Sequence, residues 1–326
     1  MPERRDSVQS LIELIATETR QPIPASAAAV NAAIVARHRD VLVATIFYGS
    51  CLRPAPASRA GTVDTGDDRI LDFYAIVDDL AAANENALRS LGNQLLPPNV
   101  FYLEVPAGRR TVRCKYAILS LRQLERLTSG TCLQNYFWGR FCQPTAIGMA
   151  RTADERRRVE DALAQACRTM LLAVVPLMDG PFDARKLWVT AFAESYRAEL
   201  RAEDPPTRAA VIYEADAGRY ARVAALVLAP EQKQITWGRD GMMLYSGKGR
   251  ARVHGAWFVR RLLGKSLNAL RIVKAGFTFD GGLDYLLWKI ERHSGVRVRV
   301  GPWERRHPIL CAPVLGWRAW RAGAFR

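Results

Sequence analysis

Two apolar runs constrain this chain more than anything else in it. The first, residues 41–47, ends in Tyr48-Gly49-Ser50. The second, residues 69–77, carries one acid, Asp72, among Leu71, Phe73, Tyr74, Ile76 and Val77. Short apolar runs bounded by turn residues read as buried strands. A carboxylate inside such a strand is costly unless it is paired or holds a metal. Gly49 has no Cβ, so a phosphate can approach its backbone, and bare N–H groups in a concave turn seat anions. A hard oxygen ligand beside a triphosphate is what magnesium requires. Gly-Ser after one strand and an aspartate on the next point to transfer of a nucleotidyl group assisted by Mg2+. The plain alternative is a tight turn and an exposed aspartate.

The rest of the chain alternates helix and strand. Ser7 reads as the N-cap of a first helix, whose apolar face is Val8, Leu11, Ile12, Leu14 and Ile15. An Ala-rich helix from Ser26 to about Arg39 leads into the first strand. Residues 51–69 form a long connection between two core strands, a place where function often resides. Asp78 and Asp79 read as helix-capping acids, and a helix over 80–95 ends at Pro97-Pro98. Strands are expected over 99–105 and 110–120, then a short helix over 121–127. Lys115, on the second of these strands, is either a snorkelling surface residue or a point charge for a phosphate. Arg140 follows Gly139 at a helix end, free for a ligand or used in an ion pair. Residues 154–175 form an amphipathic helix, expected to lead out of the first domain. Further helices are expected over 183–201 and 208–230, with a hairpin or turn at WGRDGMMLYSG. Glu199 reads by default as a solvated acid.

Charge is concentrated at the C-terminal end. Residues 250–326 hold sixteen Lys/Arg against four acids and five of the eight tryptophans. Trp257, Phe258, Leu262, Leu263, Leu267, Leu270 and Val273 run beside Arg260, Arg261, Lys265, Arg271 and Lys274. A second helix of this type is expected over 284–292. Such segments lie on anionic membranes, bind nucleic acid, dock on their own domain, or form a plain solvated tail. If the tail serves a membrane, a folded chain lacking 255–326 should leave anionic vesicles. No run of eighteen apolar residues occurs, so no spanning helix is expected. The N-terminus has no secretory pattern. Six cysteines without C-x-x-C spacing fit free thiols in a reducing compartment.

Taken together, these segments resemble the mitochondrial-type phosphatidate cytidylyltransferases, the translocator assembly and maintenance family of CDP-diacylglycerol synthases. FYGSCLR is similar to that family's YGSGV, and LDFYAIVDD to its LDF-hydrophobic-VDD segment, which also lacks a second acid. CKYAILS and YFWGRFCQP resemble KYGVIS and AGRLQKP. ESYRAELR resembles LSYSGDFR, and GKSLNALRIVKAGF with DYLLWKI is similar to the family's membrane-associating tail. The departures are Cys51 for Gly, a missing Trp-His pair before Asn84, and Glu199 for Asp.

The resemblance implies an α/β architecture. A nucleotidyltransferase-like mixed sheet with helices would occupy residues 1–150, and a smaller, mainly helical, winged-helix-like domain 151–250. A basic amphipathic membrane-associating tail would occupy 251–326. It implies CTP and phosphatidate as substrates at an anionic membrane surface, no nucleic acid, and Mg2+ on Asp72 and Glu199. Asp72, Lys115 and Glu199 would be catalytic. Tyr48, Gly49, Ser50, Asn84, Arg140 and Tyr196 would surround the nucleotide. A cytoplasmic bacterial protein, peripheral on the inner face of the cell membrane, is the matching expectation. Its rivals are a nucleotidyltransferase with a soluble acceptor and a nucleic-acid-binding protein without enzymatic activity.

Overall fold

The computed structural model describes residues 2–52, 70–84, 86–107, 110–199, 204–238, 240–278, 283, 287, 291, 296–306 and 308–323. The connection at 53–69 and most of the expected helix at 284–292 lie outside the described residues.

The chain opens with helices α1 (Pro2–Thr19) and α2 (Ala25–His38), then strands β1 (Leu42–Tyr48) and β2 (Ile70–Val77). The first helix begins before Ser7. Two short helices, α3 (Leu80–Ala83) and α4 (Ala87–Leu95), replace the single helix expected over 80–95. The break occurs because Asn86 turns its side chain onto the backbone N–H groups of Leu88 and Arg89, capping a new helix. Asp79 caps α3 as expected, whereas Asp78 pairs with Arg151 at 2.7 Å. Next come β3 (Asn99–Ala107), β4 (Arg110–Ser120), α5 (Leu121–Thr128), α6 (Tyr136–Phe141), β5 (Thr145–Ala150) and α7 (Ala153–Val174).

The five strands form one mixed sheet in the order β3-β4-β2-β1-β5. β2 and β4 run parallel and every other pair antiparallel. Alternation along β2 sends Phe73, Ala75 and Val77 to one face, where α2 covers them with Ala27, Val30 and Ile34. Tyr74 and Ile76 go to the other face and belong to the same apolar core as Val159, Leu163 and Met170 of α7. The helix expected to lead away from the sheet therefore roofs it, because this second face needs an apolar cover of its own.

Helices α8 (Ala184–Arg197), α9 (Pro205–Glu214) and α10 (Ala217–Leu228) follow, then the hairpin β6 (Ile235–Trp237) with β7 (Met243–Tyr245). Phe182 adds a bridge to Met243. Trp188, Phe192 and Tyr220 stack here, and they share one continuous apolar core with Ile46 and Tyr74 of the sheet. All six cysteines are free.

Helix α11 (Arg250–Thr278) has two unlike sides. On the inner side, Trp257 is fully buried and its Nε1 donates to Ala173 O at 2.8 Å. Gly264 lies so close to α8's end that a Cβ there would come within 2.4 Å of Ala198 O. On the outer side Phe258 is 66% and Leu262 61% exposed, with Val259 and Leu270 also open. Two further helices, α12 (Pro302–Arg306) and α13 (Pro308–Arg321), expose Trp303, Trp317 and Trp320. Among the described residues, no helix is long and apolar enough to cross a membrane.

Candidate active site

A row of side chains crosses one face of the sheet. Tyr102 pairs with Lys115, Lys115 with Asp72, Asp72 with Tyr48 and Tyr48 with Thr145. Directly paired residues project from the same face, so Asp72 stands between a lysine and a tyrosine. The chain turns sharply after Tyr48. Gly49 has φ +92°, in the left-handed region that suits glycine, and a Cβ at this position would sit 3.3 Å from Asp72 Oδ2. The glycine bend and the aspartate thus face each other. Ser50 opens a short turn through Leu52; its side chain is outside what the structure describes.

This face opens into a cleft of about 1930 Å3, lined among others by Tyr48, Gly49, Asp72, Lys115, Tyr136, Arg140 and Tyr196. That exceeds the few hundred to about 1,000 Å3 of a single small-ligand site. Among the described residues Asp72 makes no hydrogen bond and no close ion pair. Burial pushes its carboxyl above the usual range, while the charges of Lys115 and Arg140 pull it back. Burial also raises the phenols of Tyr48 and Tyr74, whose rings lie 5.0 Å apart.

Arg140 comes from α6. Its guanidinium lies 3.5 Å over the ring of Tyr136, and Nη1 donates to Tyr136 O at 3.2 Å. Two bonds, of 3.0 and 3.4 Å, join it to the carboxylate of Glu199, just beyond α8. Both Glu199 oxygens are engaged, and this residue does not line the cleft. Asn84 stands outside the cleft too. Its side chain donates to Leu80 O and accepts from Asn99, tying α3 to β3 inside the fold.

Six of the nine sequence-derived site residues therefore share one cleft: Tyr48, Gly49, Asp72, Lys115, Arg140 and Tyr196. Glu199 stands behind the cleft wall, bonded to Arg140. Many cleft residues escaped the sequence reading, among them Tyr74, Tyr136, Glu18, Arg208, Arg219 and Arg222; the aromatic run NYFW before Gly139 was the available signal for Tyr136.

No group of three His, Cys, Asp or Glu side chains able to hold a metal occurs among the described residues. Magnesium rarely needs one, since it takes one or two carboxylates plus substrate phosphates and water. An aspartate that opens on the cleft with no hydrogen-bond partner among the described residues suits an ion that arrives with a nucleotide. No protein-family model matches the chain, and no curated protein matches it in sequence.

The Arg140–Glu199 pair makes a separate prediction. Both side chains are largely buried, so Glu199→Ala strands a guanidinium and should cost about 3 kcal/mol of stability. Urea midpoints check this. A protein whose midpoint does not move uses Glu199 for something other than pairing.

Proposed function

We propose that this protein is a magnesium-dependent nucleotidyltransferase that moves CMP from CTP to phosphatidate, giving CDP-diacylglycerol and pyrophosphate at an anionic membrane surface. The observation that carries the transfer chemistry is the left-handed Gly49 bend set against Asp72 on the neighbouring strand. CTP and phosphatidate come from the sequence resemblance. The order of three helices followed by a hairpin supports the winged-helix-like reading of the second region. An antiparallel β1–β2 pair with its acid on β2 supports a nucleotidyltransferase-like sheet.

In this reading the bare backbone at Gly49 admits the phosphates, and Lys115 supplies a point charge beside Asp72. Asp72 would hold the magnesium, which when bound neutralises phosphate charge and orients the α-phosphate. Arg140 adds positive charge at the cleft wall, and the Tyr48 and Tyr136 rings give the nucleotide an apolar border. The acceptor's phosphate oxygen bonds to the α-phosphorus as the bond to the β-phosphate breaks. A phosphate nucleophile is already ionised near pH 7, so no strong base is needed, and the rate rests on alignment and electrostatics.

Labelled CTP with Mg2+, offered phosphatidate vesicles in one arm and soluble alcohol or phosphate acceptors in another, tests the proposal. Label moving into lipid is the expected result. Label moving only into soluble acceptors, or none moving at all, overturns it.

The exposed side of α11 would face the lipid, with Phe258, Leu262 and Leu270 beside Arg252 and Lys265. Each apolar side chain taken from water contributes roughly 1.5–3 kcal/mol. The double change Phe258→Ser with Leu262→Ser should therefore weaken binding to anionic vesicles by at least about tenfold, read by flotation, without moving the melting temperature.

A further inference from the structure

Arg271 of α11 is only 9% exposed, although arginine is almost never so buried unless paired. Its partners here are neutral. Nε donates to Pro97 O at 2.9 Å and Nη2 to Gln134 Oε1 at 2.5 Å. No carboxylate pairs with it among the described residues. Its guanidinium carbon lies 4.3 Å from the centre of the Tyr136 ring, the same ring that carries Arg140 at 3.5 Å. One phenol thus serves two cations. Three residues on, Lys274 Nζ donates to Leu96 O at 2.5 Å and Pro98 O at 2.8 Å. Burial and the adjacent Arg271 push the Lys274 ammonium pKa down to about 8. Helix α11 therefore grips three successive carbonyls, at 96, 97 and 98, and Pro98, Tyr136 and Arg140 all line the cleft.

Two guanidinium groups on one ring repel each other, and burying one without a counter-ion costs free energy. Glu199 bonds to Arg140, and its charge also reaches Arg271, so one carboxylate faces two guanidinium groups here. The remaining positive charge at this wall is one that an anion entering the cleft would neutralise.

We infer that Arg271 is a positioning residue for the nucleotide, holding Tyr136 and through it Arg140 at the cleft wall, so that α11 completes the active site as well as attaching it to lipid. This rests on reading the cleft as a nucleotide site. The guanidinium is suited to the task because its planar fork reaches two acceptors while its face lies on an aromatic ring. A lysine keeps the charge and loses the fork.

The test uses the full chain with Arg271→Met and Arg271→Lys, and CTP with Mg2+ as the probe. Arg271→Met should weaken CTP binding and raise the KM for CTP by about tenfold or more. The KM for phosphatidate and flotation on anionic vesicles should stay within about twofold. Arg271→Lys should recover part of the loss. A folded Arg271→Met protein with wild-type CTP affinity overturns the inference, as does an equal loss of vesicle binding. Should Arg271→Met fail to fold, Gln134→Leu removes one acceptor at a residue outside the cleft, and the same split between CTP and lipid decides the matter. Failure of the wild-type chain to bind CTP sinks the nucleotide reading itself. Normal wild-type binding with an indifferent Arg271 sinks only the role assigned to Arg271.

Discussion

If the proposed function holds, Asp72→Asn should give a folded protein that transfers CMP at least about 10²–10³-fold more slowly than wild type, since it removes the fixed charge that the proposal places beside the reacting phosphate. The substitution keeps the size of the side chain and takes away its charge. The same change should leave stability equal or higher. Burial raises the carboxyl of Asp72 above its unfolded value, with Lys115 and Arg140 opposing. A raised carboxyl supports the fold fully below the unfolded pKa, near 4, and that support is lost as pH rises through the folded pKa. At pH 7 the ionised carboxylate is therefore a cost to folding, and asparagine lifts it. Thermal melts in EDTA at pH 7 should show the variant at or above wild type, with the gap closing toward pH 4. The acid limb of activity should also fall above the ordinary aspartate range. Full transfer by the variant with CTP and Mg2+ would sink the metal assignment; a large drop in melting temperature would sink the electrostatic account of Asp72.

The second large effect concerns Trp257. Its indole is wholly inside the protein, donates to Ala173 O, and has Arg260 at 5.3 Å from its ring. Trp257→Ala should cost about 3–5 kcal/mol, from the cavity and the abandoned carbonyl together. Denaturant titration measures it, and a loss under about 1 kcal/mol would mean that α11 does not dock as described. The same geometry changes how the tail must be cut. Removing residues 255–326 takes Trp257, Gly264 and Arg271 out of the folded body, so the shortened chain loses stability along with any hold on lipid. Changes at Phe258 and Leu262, on the outer side, separate the two effects.

The sheet was legible because an apolar run bounded by turn residues is a short-range signal. β1, β2 and β4 begin and end within a residue of where their apolar patterns do. Gly49 and Asp72 could be picked out singly by residue type. That they face one another depends on the pairing of Tyr48 with Asp72, across some twenty residues of chain. β5 was missed since TAIGMA is short and weakly apolar, and pairing with β1 is what makes it a strand. The Arg140–Glu199 bond joins residues 59 apart in sequence, and nothing local marks either as the other's partner. In α11 the sequence lays Trp257 and Phe258 on one apolar stripe. Neighbours on a helix point about 100° apart, and only the position of Ala173 decides which is sealed and which is open.

The apolar core beneath the sheet binds the history of its two regions together. Ile46 and Tyr74 of the strands touch the same mass as Met170, Trp188 and Tyr220 of the later helices. A recombination event that exchanged the helical half for a foreign module would strip the underside of the sheet and leave the cleft without a floor. A graft of either half would therefore need matching substitutions along this common seam.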